Sequence, residues 1–512
     1  MKKRIGAMIL CVCMILSMTA CGTTGERDLS NATVVKVSPA NMSTTNNGVF
    51  QGWGTSLCWW ANRMGYSDEL AQQSADLFFG EDGLRFNIMR YNIGGGDDST
   101  HDHITRTDSV MPGWLVYNEA TGQYEYDYDA DFNQLNVLKR AVKAAGDDVY
   151  VELFSNSPPY FMTESGCSSG NVSGYSNNLK PEYVDAFAEY LANVAAYINN
   201  ELGIKVSSIS PMNEPSTGYW FANSPKQEGC HVDPGEAQSN IIVATAKAFE
   251  EKGLGNVEIV ASDETSPKMA VKSYKKYTDQ AKSVIDRINT HAYSLDWGSD
   301  LVELSETNGF NLWMSEVDGD GVAGKDAGEM GSALYIATRI IGDVNYLSPS
   351  AWVMWQAGDN HISSEGYNGK QDSGPVDLTK GFWGATMVDH DNQKIILTQK
   401  YYAIGQFTRY ICPGSTIIHC EGNTLAAYDA EKKQLVIVSA NVKETEMEYF
   451  FDLSEFASFG TTAQQIRTSG SLESGEHWAQ LEDITLDKTG LYTNLKENSV
   501  TTFIINDVIL EK

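Results

Sequence analysis

Between residues 50 and 405, short apolar runs alternate with longer amphipathic stretches. The runs "VFQGWGTS", "LRFNIMRYNIG", "DVYVELFS", "VSSISPMN", "VEIVASDE", "DRINTHAYS", "FNLWMSEVD" and "AWVMWQAG" have the length and the β-branched and aromatic content of strands. The stretches between them carry a helical period. In "PEYVDAFAEYLANVAAYINNELG", Tyr183, Phe187, Tyr190, Leu191, Val194 and Ile198 recur at helical steps, and Gly203 supplies a stop. Strands alternating with helices predict parallel β/α units. Eight such units predict a (β/α)8 barrel with loop insertions. A doubly wound open sheet is the rival, but no Gly-rich phosphate turn follows the first strand.

Beyond residue 410 the pattern shortens. "STIIHCEGNTLAAYDAEKKQLVIVSANV", "MEYFFDLSEF" and "SVTTFIINDVIL" read as β-runs separated by turn residues, which predicts a small antiparallel sandwich. Residues 32–48 predict a further strand or two, positioned to join it because chain ends often lie close together. The expected division is a signal-type segment 1–21, a polar linker 22–31, a barrel 49–409, and a β-sandwich of 32–48 with 410–512. The length of 512 residues fits more than one domain.

The first residues add a location. Lys2, Lys3 and Arg4 precede a 12-residue apolar core, too short to span a bilayer, which closes on "SMTAC". This resembles a bacterial lipoprotein signal with Cys21 as the lipidated residue, and predicts an exported protein that meets the membrane only through a lipid anchor. Secretion with cleavage after Ala20 is the alternative. The net charge of −30 argues against nucleic acid and anionic membrane as partners. Cys58, Cys167, Cys230, Cys412 and Cys420 remain beyond the signal, an odd number at irregular spacing and no zinc pattern. Two bridges with one buried thiol, or five free thiols, both stay open. Cys167 and Cys230 fall in loops after strands three and four, which are neighbours at a barrel mouth. A disulfide between them is the bond to look for in an exported protein.

Active groups of a barrel sit where its strands end. Those ends carry Arg90, Asn156, Asn213, Glu214, His291, Tyr293, Glu316 and Trp355. Glu316 lies 102 residues after Glu214, about three β/α units, so strands four and seven bring two carboxylates across the mouth. Facing carboxylates among aromatic rings are what glycosidic hydrolysis requires: one protonates the leaving oxygen and the other attacks the anomeric carbon. Trp53, Trp59, Trp60, Tyr219, Trp220, Tyr293 and Trp355 are candidate walls for stacking on sugar, with core packing the competing role for each. "VDGDGVAGKDAG" begins like a calcium loop but lacks its final glutamate. "HDH" at 101–103 lacks spaced metal partners and reads as exposed loop. No metal or other cofactor is called for.

The stretches "GWGTSLCWWANRMG", "RYNIGGGD", "LFSNSP", "SPMNEPSTGYW" with "QEGCH", and "WMSEVD" together resemble glycoside hydrolase family 30, most closely its endo-β-1,6-galactanase branch. The resemblance spans residues 32–510. The paired glutamates specify only the clan, whereas "GWGTSLCWW" is far more specific. The resemblance implies Glu214 as acid/base, Glu316 as nucleophile, and Asn213 as a partner of the 2-hydroxyl beside the scissile bond. It also implies that Arg90 and Tyr293 hold Glu316 ionised. His291, Asn156, Trp53, Trp220 and Trp355 complete the expected supporting or substrate-binding set. The implied activity is a retaining, monomeric endo-β-1,6-galactanase acting on side chains of arabinogalactan. Another family activity (β-1,6-glucanase, xylanase or β-glycosidase) is the alternative. A non-catalytic glycan-binding surface lipoprotein is disfavoured, because both glutamates and their supporting residues are present.

Overall fold

The computed structural model describes residues 28–97 and 102–510, so the signal-type segment 1–21 with Cys21 lies outside the described residues. The eight apolar runs become eight parallel strands closed into a barrel. They are β1 (Gly52–Ser56), β2 (Ile88–Asn92), β3 (Tyr150–Phe154), β4 (Ser208–Ser210), β5 (Glu258–Glu264), β6 (Arg287–His291), β7 (Asn311–Glu316) and β8 (Ala351–Met354). Closure comes from β8 lying parallel to β1, with Trp352 opposite Trp53. A helix follows each strand: α1 (Asp68–Ser74), α2 (Phe132–Ala145), α3 (Val184–Ala196), α4 (Glu236–Glu251), α5 (Pro267–Lys276), α6 (Gly298–Asn308), α7 (Met330–Leu347) and α8 (Gln399–Thr408).

Local chemistry accounts for the helix ends. The Ser67 hydroxyl accepts the Leu70 N–H ahead of α1, while Asp68 and Glu69 sit in the first turn, where the helix dipole favours acids. In α3 the residues Phe187, Tyr190, Leu191 and Val194 face the barrel core. Gly203, at φ 67, ends the run as expected.

Successive strand residues point to opposite faces, and this decides which side chains enter the barrel. Trp53 points outward. Its ring packs on Phe50, Trp352 and Phe407 of α8, and its indole N–H donates to the Ile411 carbonyl. The expectation that Trp53 walls a cleft is therefore corrected: it is core between the strands and α8.

The inward face carries ions. Glu152 of β3 accepts hydrogen bonds from Arg90 of β2, Arg287 and Asn289 of β6, and Ser208 of β4. The Arg287 guanidinium lies 3.6 Å from the Trp313 ring centroid. Charges so deeply buried persist only when each is paired and hydrogen-bonded.

The two ends of the described chain meet in a β-sandwich. Thr33–Lys36 lies parallel to Met447–Asp452, which pairs antiparallel with Gly490–Leu495. The facing sheet runs through Gln434–Asn441, Ser499–Ile505 and Thr462–Ser469. Val35, Ile437, Phe451, Leu491 and Phe503 form its apolar core. The N-terminal strand is thus parallel, where an all-antiparallel sandwich was expected. The rest of residues 32–48 forms short 3-10 turns.

A further sheet was not foreseen: β9 (Gly358–Ile362), β10 (Thr386–Asp389) and β11 (Lys394–Leu397) lie between β8 and α8. Runs such as "GDNHI" carry too few apolar residues to stand out. His361 of β9 is tied to His390, their Nδ1 and Nε2 atoms 2.9 Å apart. Arg63 reaches both His390, at 3.2 Å, and Asp372, at 2.6 Å.

Candidate active site

Glu214 lies just beyond β4, at φ 46, and its N–H donates to the Asp263 carbonyl of β5. Left-handed backbone is unusual outside glycine and is retained where the surroundings over-determine it. Here the β5 contact fixes it, and Trp220 adds an indole N–H to the Glu214 carbonyl at 3.1 Å. Tyr219 donates its hydroxyl to one Glu214 carboxylate oxygen. His291 Nδ1 lies 3.1 Å from the other.

Glu316 ends β7. Arg90 Nη1 donates to its Oε2 at 3.3 Å, and the Tyr293 hydroxyl to its Oε1 at 3.0 Å. His291 Nδ1 is 3.4 Å from the same Oε1, so one imidazole stands between the two glutamates. A carboxylate oxygen of Glu214, one of Glu316 and a nitrogen of His291 all lie within 4.8 Å of one another. Both glutamates are buried, at 7% and 4% exposure.

Asp263 completes the cluster. It pairs with Arg90, accepts from Ser315 at 2.7 Å, and stands 3.3 Å from His291 Nε2. Burial opposes charge on His291, but the carboxylates of Glu316 and Asp263 outweigh it and push its pKa up to about 10. Both ring nitrogens are then protonated, so His291 faces the carboxylates as a donor. Burial likewise raises Glu316, and the Glu214 charge adds to that, while His291 and Arg90 pull it down. The net direction is upward. The expected acidifying pull of Arg90 is diluted because its charge is shared among Glu152, Asp263 and Glu316.

These groups open into a cleft of about 730 Å³ lined by Trp59, Asn213, Trp220, Tyr293, Trp355 and Trp383, among others. Asn213 is buried, and its side-chain oxygen has no hydrogen-bond partner in the protein. Trp220 and Trp355 line the cleft as expected, though Trp220 is largely packed, its ring lying over Gly229. Asn156 does not reach the cleft. Its amide N–H points to Asn92 and to the Cys58 sulfur, which places it in a supporting layer below.

The looked-for Cys167–Cys230 bond is absent: both thiols are free. They face different surroundings, with the Cys167 sulfur against Ser169 and His103, and that of Cys230 towards the His231 carbonyl.

Sequence reasoning missed Asp263, Arg106 and Trp383. The acidic end of "VASDE" was a usable signal for Asp263, because β5 ends on the same face as β4. Arg106 and Trp383 come from irregular loops and left no periodic trace.

A family profile described as O-glycosyl hydrolase family 30 matches residues 34–294, about half of the chain. An endo-β-1,6-galactanase of Hypocrea rufa is 29% identical over 494 residues, spanning 91% of this chain and 94% of that protein. An exo-β-1,6-galactobiohydrolase of Bifidobacterium longum subsp. longum is 26% identical over 540 residues, with 81% of this chain matched to 35% of that longer protein. Among solved structures, a conserved exported protein from Bacteroides fragilis superposes with a TM-score of 0.70 at 19% identity, covering 92% of this chain and 100% of that one.

Proposed function

Because the chain belongs to O-glycosyl hydrolase family 30 and is a glycoside hydrolase, we propose that it cleaves β-1,6-linked galactan by a retaining double displacement. The observation that carries the mechanism is the approach of one carboxylate oxygen of Glu214 to one of Glu316, within 4.8 Å. Retaining enzymes hold the pair about 5–5.5 Å apart, whereas inverting ones leave about 6.5–9.5 Å for a water.

In this reading the Glu316 carboxylate attacks the anomeric carbon while Glu214 gives its proton to the departing glycosidic oxygen. Glu214 then takes a proton from water, whose oxygen displaces Glu316 from the glycosyl ester. Arg90, Tyr293 and His291 aim the Glu316 carboxylate. Asn213, with a buried side-chain oxygen facing no protein partner, bonds the sugar 2-hydroxyl.

The choice of galactan is supported by two relatives named for β-1,6-galactose linkages, the first matched along 94% of its length. A β-1,6 link adds an exocyclic torsion, so its sugars suit a walled pocket better than a flat groove. Exposed rings of Tyr219, Phe221 and Trp383 at the cleft supply such walls. Export as a lipoprotein anchored at Cys21 belongs to the same reading, and among the described residues no helix is long and apolar enough to cross a membrane.

The test is release of reducing ends from de-arabinosylated arabinogalactan, β-1,6-glucan and glucuronoxylan, with proton NMR of the first-formed anomer. Fastest release from the galactan with β-anomer first is expected. Faster cutting of β-1,6-glucan would overturn the substrate, and an α-anomer first would overturn the mechanism.

A further inference from the structure

Away from the cleft's carboxylates, the geometry points to a divalent transition-metal site, zinc by its donor set, formed by Asp97, His103 and Cys167. A carboxylate oxygen, an imidazole nitrogen and a thiol sulfur from these residues lie within 4.8 Å of one another. Asp97 and His103 come from the loop after β2, and Cys167 from the loop after β3.

The spacing is that of ligands around one ion. A tetrahedral zinc with Zn–S about 2.3 Å and Zn–N about 2.0–2.1 Å sets sulfur and nitrogen about 3.5 Å apart. Cys167 Sγ and His103 Nε2 are 3.5 Å apart. With Zn–O about 2.0–2.2 Å, nitrogen and oxygen sit about 3.3–3.4 Å apart. His103 Nε2 and Asp97 Oδ2 are at 3.8 Å, so binding draws the carboxylate in by a few tenths of an ångström.

A fourth corner is at hand. Ser169 Oγ lies 3.1 Å from His103 Nε2 and 3.2 Å from Cys167 Sγ. It donates to the Phe221 carbonyl and accepts from the Ser224 N–H, which leaves it one lone pair for an ion or its bound water. Asp97 is oriented from outside by the Ser168 hydroxyl and N–H, the outer support that metal carboxylates have.

The donors select the metal. Thiolate with imidazole favours zinc and its neighbours, whereas calcium and magnesium take all-oxygen sets. Cys167 is buried, but His103 and Asp97 keep 11% and 17% of their side chains exposed, which gives an ion access from solvent. "HDH" read as exposed loop because its partner at Cys167 is distant in sequence.

The ion would tie two loops to a third, since Cys167 Sγ also accepts from the Asn223 N–H and Ser169 holds Phe221 and Ser224. Phe221 and Ser224 line the cleft. The metal therefore braces one wall of the substrate site without touching the reacting atoms.

To test it, the purified full chain is loaded with Zn²⁺ or Co²⁺, passed through a desalting column, and the metal counted by mass spectrometry. One retained zinc is expected, together with a thiolate-to-cobalt charge-transfer band for the cobalt form. Cys167→Ser should lose the band, and His103→Ala should weaken retention by more than about 100-fold, beyond the usual cost of an outer-shell change. Cys230→Ser should leave both unchanged. Where a variant folds poorly, alkylation of the wild-type chain serves instead: Cys167 should be protected by zinc and released by chelator. Less than stoichiometric retention, a cobalt form without the thiolate band, or alkylation indifferent to zinc would each overturn the site. Chelation should raise KM several-fold with kcat held, and an unchanged KM would overturn the brace.

Discussion

Two buried histidine clusters hold their protons in opposite ways. His291 is surrounded by Glu214, Asp263 and Glu316, and is pushed up to about 10. His361 and His390 are buried in the insertion sheet beside Arg63, and burial with that cation pushes both below the ordinary 6.5. Residue type and burial are alike, so the sign of the neighbouring charge decides. The first histidine is a cation held between two facing carboxylates. The second pair is a neutral tie within the insertion sheet. A buried histidine therefore shows its role through its neighbours.

The harshest way to break the first cluster is Glu316→Gln. An amide of the same shape cannot attack carbon, so kcat should fall by more than about 10⁴-fold, beyond what general acid–base groups alone contribute, with the circular dichroism spectrum unchanged. Glu214→Ala should lose about 10²–10⁴-fold and regain turnover with azide, an anion that displaces Glu316 from the glycosyl ester without a general base and leaves as the glycosyl azide. Near-wild-type turnover in Glu316→Gln would end the nucleophile assignment.

Asp263→Asn removes the charge behind His291 and Arg90. Loss of one preorganising partner should lower kcat/KM on the order of 10²-fold. It should also bring the His291 titration, followed by NMR, down from about 10 towards its ordinary value. A titration that stays put would show that Asp263 does not set the charge.

The contrast also has a pH signature. Folding favours the cation at His291, so its contribution is full below pH 6.5 and fades as pH rises towards about 10. Folding keeps His361 and His390 neutral, so their contribution is full above 6.5 and fades as pH falls. Each histidine held neutral costs up to about 1.4 kcal/mol per pH unit below that point. Denaturant unfolding should show both limbs, and His390→Asn should flatten only the acid one. The mildest change is Arg63→Lys, which keeps the cation but loses the paired contact to Asp372. About 1–2 kcal/mol of stability should go while kcat stays.

The barrel was legible because its strands are buried on both faces and recur between helical stretches, which marks them in the sequence even where an inward-facing ion interrupts the run. Glu214 and Glu316 were legible because such runs end on them. Trp53 misled because a tryptophan in a strand looks the same whichever face it takes, and only pairing with β8 and α8 settles it. Glu152 stayed hidden for a related reason, since an inward-facing carboxylate within a strand has no local mark. His103 and Cys167 needed the folded loops to meet at all.

The strand Thr33–Lys36 carries a consequence for biogenesis. It pairs with Met447–Asp452, roughly 400 residues later, and parallel pairing over such a span is slow to form. In a chain made amino end first, one of the earliest strands to emerge waits for nearly the whole polypeptide before it finds its neighbour. A product truncated anywhere in the barrel would keep that strand as an open edge, visible to proteases and chaperones. The side sheet is thus a clasp that only a finished chain can close.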